Sequence, residues 1–180
     1  AETKTTTIMA THDRNEALRL SDRIAVMEGG RIAQIDRPAV VMNRPVDEFV
    51  AHFVGTETIL EGAVRDTNET ALFVSVDGSV IEVVGRGCVG EKVTLCIRPE
   101  NVTLAIPDGT SKTSARNTFR GRIGRIVPLG LVHRVEIACG FPLVAFVTAH
   151  ALEDLSLKEG DEVAASVKAT AIHVIRKGGG

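Results

Sequence analysis

Gly90-Glu-Lys-Val-Thr-Leu-Cys-Ile-Arg-Pro-Glu-Asn-Val-Thr-Leu104 and Gly160-Asp-Glu-Val-Ala-Ala-Ser-Val-Lys-Ala-Thr-Ala-Ile-His-Val174 follow one pattern at a constant offset. Gly90 corresponds to Gly160, Val93 to Val163, Ile97 to Val167, Arg98 to Lys168, Val102 to Ile172 and Leu104 to Val174. Each copy opens on a glycine turn, runs through a strand-like apolar stretch, takes one basic step and returns to apolar residues. A sheet unit this small buries its apolar face only by pairing with another. The repeat therefore predicts two halves, at about residues 58–107 and 113–177, joined in one barrel-like body.

Working outward, the strands between the two copies are short and punctuated by turns. Leu72-Phe-Val-Ser-Val76 and Ser79-Val-Ile-Glu-Val83 flank Asp77-Gly78, the dipeptide suited to the two positive-φ positions of a type I′ hairpin. Residues 117–126, 131–138 and 143–148 supply further strands, divided by Pro128-Leu-Gly130 and Cys139-Gly-Phe-Pro142. One short helix is expected at residues 149–155, capped by Thr148, and it accounts for the greater length of the second half. The glycine tail, 178–180, is expected to be disordered.

Before Gly55 the pattern is different. Thr5-Thr-Thr-Ile-Met-Ala-Thr-His12-Asp13 reads as a β-prone run that ends on a histidine. Asp13 and Glu16 then form a capping-box signature for a helix, followed by a strand in Ile24-Ala-Val-Met27. A Glu28-Gly-Gly-Arg-Ile hairpin and a short helix after Arg44-Pro45 complete the segment. A mixed α/β domain over residues 1–57 and an all-β domain over 58–177 are the expected organisation.

Composition excludes several classes. The 180 residues are 44% apolar and 24% charged with a formal net charge of -2, and they contain no Trp or Tyr. A nucleic-acid partner would call for a basic excess or a stacking platform, and neither is present. No apolar run is long enough to span a bilayer. Cys88, Cys96 and Cys139 are scattered through strands and turns, which predicts buried or half-buried thiols rather than disulfides or a metal site. The histidines share no ligand spacing, so no metal is expected. Gly85-Arg-Gly-Cys-Val-Gly90-Glu91-Lys92 has the glycine spacing of a phosphate loop. However, Glu91 intrudes before the lysine and a strand, not a helix N-terminus, follows.

The segment around His12 resembles the switch-histidine region of ATP-binding cassette (ABC) transporter ATPases. The resemblance implies that in a complete ATPase His12 would contact the γ-phosphate of ATP and organise the attacking water. The phosphate loop, signature motif and acidic strand end of that family are absent. The resemblance is thus to the C-terminal part of such an ATPase, truncated or incompletely read, with ATP and Mg relevant only to the full-length parent. No ATPase activity is expected of these residues alone.

Cys96-Ile-Arg-Pro-Glu-Asn101 resembles the Arg-Pro-Glu step of the regulatory TOBE domains that follow many ABC ATPases. Ser114-Ala-Arg-Asn117 and Val167-Lys-Ala-Thr-Ala171 resemble a Mop domain, the oxyanion-binding form of the same OB-like fold. The resemblance implies ligand contacts at Ser114, Ala115, Arg116 and Asn117, and at Lys168, Ala169 and Thr170, with molybdate or tungstate as ligand. The chemistry fits, because a tetrahedral dianion offers only acceptors and needs hydroxyl, cationic and backbone N–H donors. Only the second half carries both segments, so a complete site is expected to involve a second chain in a homodimer.

The leading functional expectation is the regulatory C-terminal region of the ATP-binding subunit of a molybdate/tungstate importer. Such a subunit is cytoplasmic and peripheral on the inner face of the membrane through a permease. One alternative is the TOBE region of a sugar, polyamine, iron or sulfate importer ATPase acting without oxyanion binding. Another is a stand-alone cytoplasmic molybdate/tungstate-binding protein.

Overall fold

The structure is a computed structural model that describes residues 5–107 and 113–176. The expectation for the glycine tail lies outside these residues. The chain divides between Val54 and Gly55 into two compact units.

In the first unit, α1 (Arg14–Leu20) is followed by a hairpin of β1 (Ile24–Glu28) and β2 (Arg31–Asp36), then by α2 (Pro38–Asn43) and α3 (Glu48–Phe53). Gly29 and Gly30, at φ 54 and 79, make the tight turn between the strands. Ile24, Val26, Val41, Val50 and Val54 form a small core. Two expectations are corrected here. The apolar run before His12 is not a strand: residues 5–11 are irregular and Ile8 is 95% exposed. A strand needs a hydrogen-bonded neighbour, and the one sheet described in this unit contains only β1 and β2. The capping box is also only half made. Asp13 accepts from the backbone N–H groups of Asn15 and Glu16, but the Glu16 carboxylate takes its hydrogen bond from the Thr11 hydroxyl.

The second unit contains β3 (Thr58–Thr67), β4 (Ala71–Val76), β5 (Ser79–Val84), β6 (Lys92–Ile97) and β7 (Val102–Ala105) from the first half of the repeat. The second half supplies β8 (Asn117–Leu129), β9 (Val132–Ala138), β10 (Pro142–Thr148), α4 (Ala149–Asp154), β11 (Glu162–Val167) and β12 (Ile172–Arg176). All strand pairs are antiparallel. They form two five-stranded sheets, β12-β6-β3-β4-β5 (sheet I) and β10-β9-β8-β11-β7 (sheet II).

Each sheet takes four strands from one half and its last strand from the other. After β6 a single 3-10 turn at Pro99–Asn101 carries the chain across to β7 in sheet II, and after β11 the turn at Ala169–Ala171 carries it back to β12 in sheet I. The crossing places both sheets on one continuous core, in which Leu72, Ile81, Leu95 and Ile97 join Ile123 and Leu143. Each such side chain contributes about 1.5–3 kcal/mol when fully buried. Phe119 and Phe141 add an edge-on ring contact at 5.0 Å.

Local details follow the sequence closely in this unit. Asp77 and Gly78 have φ 45 and 84, as a type I′ turn requires. The Thr148 hydroxyl accepts from Ala151 N at 3.2 Å and caps α4. β8 is longer than expected because Pro128 does not stop it. β11 pairs with β8 only as far as Arg122, so the missing N–H of Pro128 costs no ladder bond.

Gly62 and Gly121 sit at matching points of β3 and β8. A Cβ on Gly62 would lie 2.6 Å from Val74 Cγ1 and 2.7 Å from the Ser75 carbonyl; on Gly121 it would lie 2.5 Å from Cys139 Sγ and 2.8 Å from the Ala138 carbonyl. Cys139 is itself buried, and burial pushes its thiol up to about 11. Cys96 is buried and Cys88 exposed, with no disulfide among them.

Gly62→Ala and Gly121→Ala are each expected to lose about 1–3 kcal/mol of stability in urea unfolding. Gly124→Ala, whose Cβ meets only the Glu136 carbonyl at 3.8 Å, serves as the tolerated control. In thiol titration of the folded protein at pH 8, Cys88 should react rapidly and Cys139 only on unfolding. Because the folded thiol holds its proton more tightly than the unfolded one, its contribution to stability is complete below pH 9. That contribution is lost as pH rises towards about 11, which unfolding midpoints measured across that window would follow.

Candidate functional site

β7, β11 and β8 lie side by side at one edge of sheet II, and their register decides what faces outward. Ser166 is opposite Thr103 on one side and Thr118 on the other; Ala164 is opposite Ala105 and Arg120. Strand side chains alternate between faces. Since Val102, Leu104, Val163, Ala165 and Val167 are buried in the core, the intervening positions face outward. The outer surface therefore carries a row of three hydroxyls, Thr103, Ser166 and Thr118, above a second row ending in Arg120. Thr118 Oγ1 and Ser166 Oγ are hydrogen-bonded at 2.9 Å.

These rows form the floor of a cleft of about 650 Å3, within the range of about 300–1,000 Å3 usual for small-ligand sites. Lys168 lines one wall because β11 ends there and Lys168 leads, in extended conformation, into the 3-10 turn Ala169–Ala171. Ala115 lines another wall, where Ala115 N donates to Thr113 Oγ1 at 3.0 Å and folds the approach to β8. Asn101, from the turn before β7, completes the polar lining.

Among the described residues, two cations, Arg120 and Lys168, and no carboxylate line the cleft. Neither cation is in an ion pair among the described residues. Arg122, one step along the same face, differs: it pairs with Glu162 at 3.6 Å and donates to the Gly160 carbonyl at 2.9 Å. Arg134, on β9, is held between Glu57 and Glu136, which raise its pKa further by hydrogen bonding. The unneutralised positive charge of this sheet edge is thus concentrated at the cleft.

The repeat supplies an internal comparison. At the matching edge of sheet I the corresponding rows are His173–Cys96–Ile59 and Ile175–Thr94–Glu61. Cys96 and Thr94 are buried there. The counterpart of Lys168 is Arg98, and Arg98 is paired to Glu100 at 2.8 Å. In the second half Thr170 stands where Glu100 stands in the first, so the carboxylate that neutralises the basic step is missing. Among the described residues, only the second copy of the repeat presents an open row of hydroxyls and cations outside any ion pair.

Of the residues expected from sequence, Ala115 and Lys168 line the cleft. Ser114, Arg116 and Thr170 are exposed and do not line it, and Ala169 is buried. Asn117 is 3% exposed and its amide is engaged by the backbone of Glu82. His12 is exposed in the first unit, and all lining residues of the cleft belong to the second. Thr103, Thr118, Arg120 and Ser166 were missed. The signal that could have found them is the strand alternation on either side of Asn117 and Val167, combined with a register that sequence alone does not give.

Residues 113–174 match the TOBE domain family. Over 170 residues the chain is 39% identical to the molybdate/tungstate import ATP-binding protein WtpC of Pyrococcus horikoshii, covering 94% of this chain and 47% of that protein. Over 174 residues it is 33% identical to the spermidine/putrescine import ATP-binding protein PotA of Acetivibrio thermocellus, covering 96% of this chain and 45% of the relative. The chain therefore spans about half the length of these relatives. Among solved structures, the cytoplasmic molybdate-binding protein ModG, with molybdate bound, superimposes with a TM-score of 0.60 at 20% identity, covering 67% of this chain and 96% of that one. That likeness shows a shared fold. No helix among the described residues is long and apolar enough to cross a membrane. Residues 113–174 thus match the TOBE domain, and the chain is similar over most of its length to import ATP-binding proteins, those named for molybdate/tungstate among them.

Proposed function

We propose that the second unit binds a tetrahedral oxyanion, molybdate or tungstate, in the cleft of sheet II, as the regulatory C-terminal region of an importer's ATP-binding subunit. The observation that carries this reading is the lining itself: four hydroxyls, Thr103, Thr113, Thr118 and Ser166, with Lys168 and Arg120, and, among the described residues, no carboxylate and no ion pair to satisfy either cation. A dianion needs donors and charge, and a charge-assisted hydrogen bond contributes about 1.5–3 kcal/mol. A few such bonds reach the roughly 8 kcal/mol of micromolar binding. Ser114, Ala115, Arg116, Lys168, Ala169 and Thr170 belong to the two segments that frame the cleft, and their backbone N–H groups, apart from that of Ala115, which donates to Thr113 Oγ1, are further candidate donors.

On the same reading, residues 1–57 are the end of an ABC nucleotide-binding domain. His12 meets ATP and Mg only in the complete subunit, which works at the cytoplasmic face of the membrane with a transmembrane permease. A second copy of the chain would close the cleft, giving a homodimer. Occupancy of the cleft regulates transport only if the anion binds the resting and transporting states with different affinity. A second reading, a TOBE domain that makes protein contacts without binding anion, is supported by the equally full match to a relative named for spermidine/putrescine import.

Calorimetric titration of anion-stripped protein separates the two. Micromolar tungstate binding that survives excess sulfate is expected. Lys168→Ala and Thr118→Val should each weaken it about tenfold or more while changing stability by no more than about 0.5 kcal/mol, as surface substitutions do. No heat at millimolar tungstate or molybdate would favour the contact module. Light scattering with and without anion tests the dimer, and a monomer under both conditions would count against it.

A further inference from the structure

Asn117 opens β8, and its carboxamide makes two hydrogen bonds to one residue of the opposite sheet. Asn117 Oδ1 accepts from Glu82 N at 2.8 Å, and Asn117 Nδ2 donates to Glu82 O at 2.8 Å. Glu82 lies in β5, an edge strand of sheet I. The carboxamide thus offers the edge the acceptor and donor that a further strand would offer. Thr58, which opens β3 and is 2% exposed, does the corresponding thing on the other side: its hydroxyl accepts from Val144 N at 3.0 Å. Val144 lies in β10, an edge strand of sheet II. Each half of the repeat clamps an edge strand of the other with the residue that opens its first strand.

The clamp at Asn117 bears on the segments that carry Ala115 and Lys168, whereas the strand clamped by Thr58 packs on the turn that carries Asn101. The 3-10 turn Ala169–Ala171, which follows Lys168, also packs on β5. Two of the segments that bring lining residues to the cleft, 113–116 and 168–171, are therefore anchored to one edge strand. We propose that Asn117 is a positioning residue of the anion site rather than a ligand donor. By holding the start of β8 on Glu82 it fixes Ala115 relative to Lys168. This rests on the anion-binding reading above. By linkage, an anion that bridges the two segments must also hold β5 more firmly, so the Glu82 amide should exchange more slowly with solvent when tungstate is bound.

Three variants test the proposal by tungstate titration and by hydrogen exchange of the Glu82 and Val144 amides. Asn117→Ala is expected to speed exchange at Glu82 and to weaken tungstate about tenfold, an effect of the order of one lost hydrogen bond. Asn117→Thr copies the solution used at Thr58 and keeps an acceptor for Glu82 N–H, so it should restore most of both. Thr58→Val should speed exchange at Val144 and weaken tungstate less than Asn117→Ala does, because it leaves Ala115 and Lys168 in place. The proposal is overturned if Asn117→Ala binds tungstate as the parent does. It is also overturned if Asn117→Thr protects Glu82 yet binds as weakly as Asn117→Ala, because the carboxamide would then contact the anion itself. Absence of tungstate binding by the parent protein would end the anion reading and the positioning role with it. Exchange at Glu82 in the ligand-free variants would still report whether the clamp exists.

Discussion

Neither half of the β unit can close its core without the last strand of the other. β7 leaves its own sheet to complete sheet II, and β12 leaves its own to complete sheet I. The exchange follows from the repeat: two similar strand–turn–strand segments each cross by one 3-10 turn, so a single apolar core is shared between them. Burial supplies the driving force, while the backbone exposed at the outer edges needs separate satisfaction. Asn117 and Thr58 provide part of it from across the core. The same exchange carries Thr103 on β7 to the side of β11, where it extends the hydroxyl row.

Function in such a duplicated fold comes from the places where the copies differ. Arg98 and Lys168 occupy the same structural position, one neutralised by Glu100 and the other left beside Thr170. The outer face of β6 is buried at Thr94 and Cys96, whereas the outer face of β11 opens at Ala164 and Ser166. One copy has become structure and the other offers donors. Charge would attract any small dianion to the cleft, and discrimination between molybdate, tungstate and sulfate has to come from size, because their charge and shape are alike.

Much of this was legible in sequence because local chemistry determined it. Asp77-Gly78 demanded a type I′ turn, Thr148 a helix cap, and the two glycine-led copies a paired β body. The crossing of β7 and β12 was not legible, since either sheet offers those strands an equally suitable edge. The floor of the cleft depends on that crossing, so Thr103 and Ser166 could not be foreseen as neighbours. Asn117 was expected as an anion contact through the likeness of its segment to a Mop domain, and no local signal in the sequence shows that its carboxamide bonds the backbone of Glu82 in β5. The apolar run at Ile8 and Met9 had the composition of a strand, but among the described residues no partner strand pairs with it.

The central claim is that a tetrahedral dianion occupies the hydroxyl- and cation-lined edge of sheet II. Crystals grown with tungstate, with data collected at a tungsten absorption edge, would locate the metal directly by anomalous scattering. The account predicts one strong peak per chain in the cleft, with anion oxygens within hydrogen-bonding distance of Lys168 and of the Thr118–Ser166 hydroxyl pair. A peak at the matching edge of sheet I, or no ordered peak on the β unit at saturating tungstate, would contradict it.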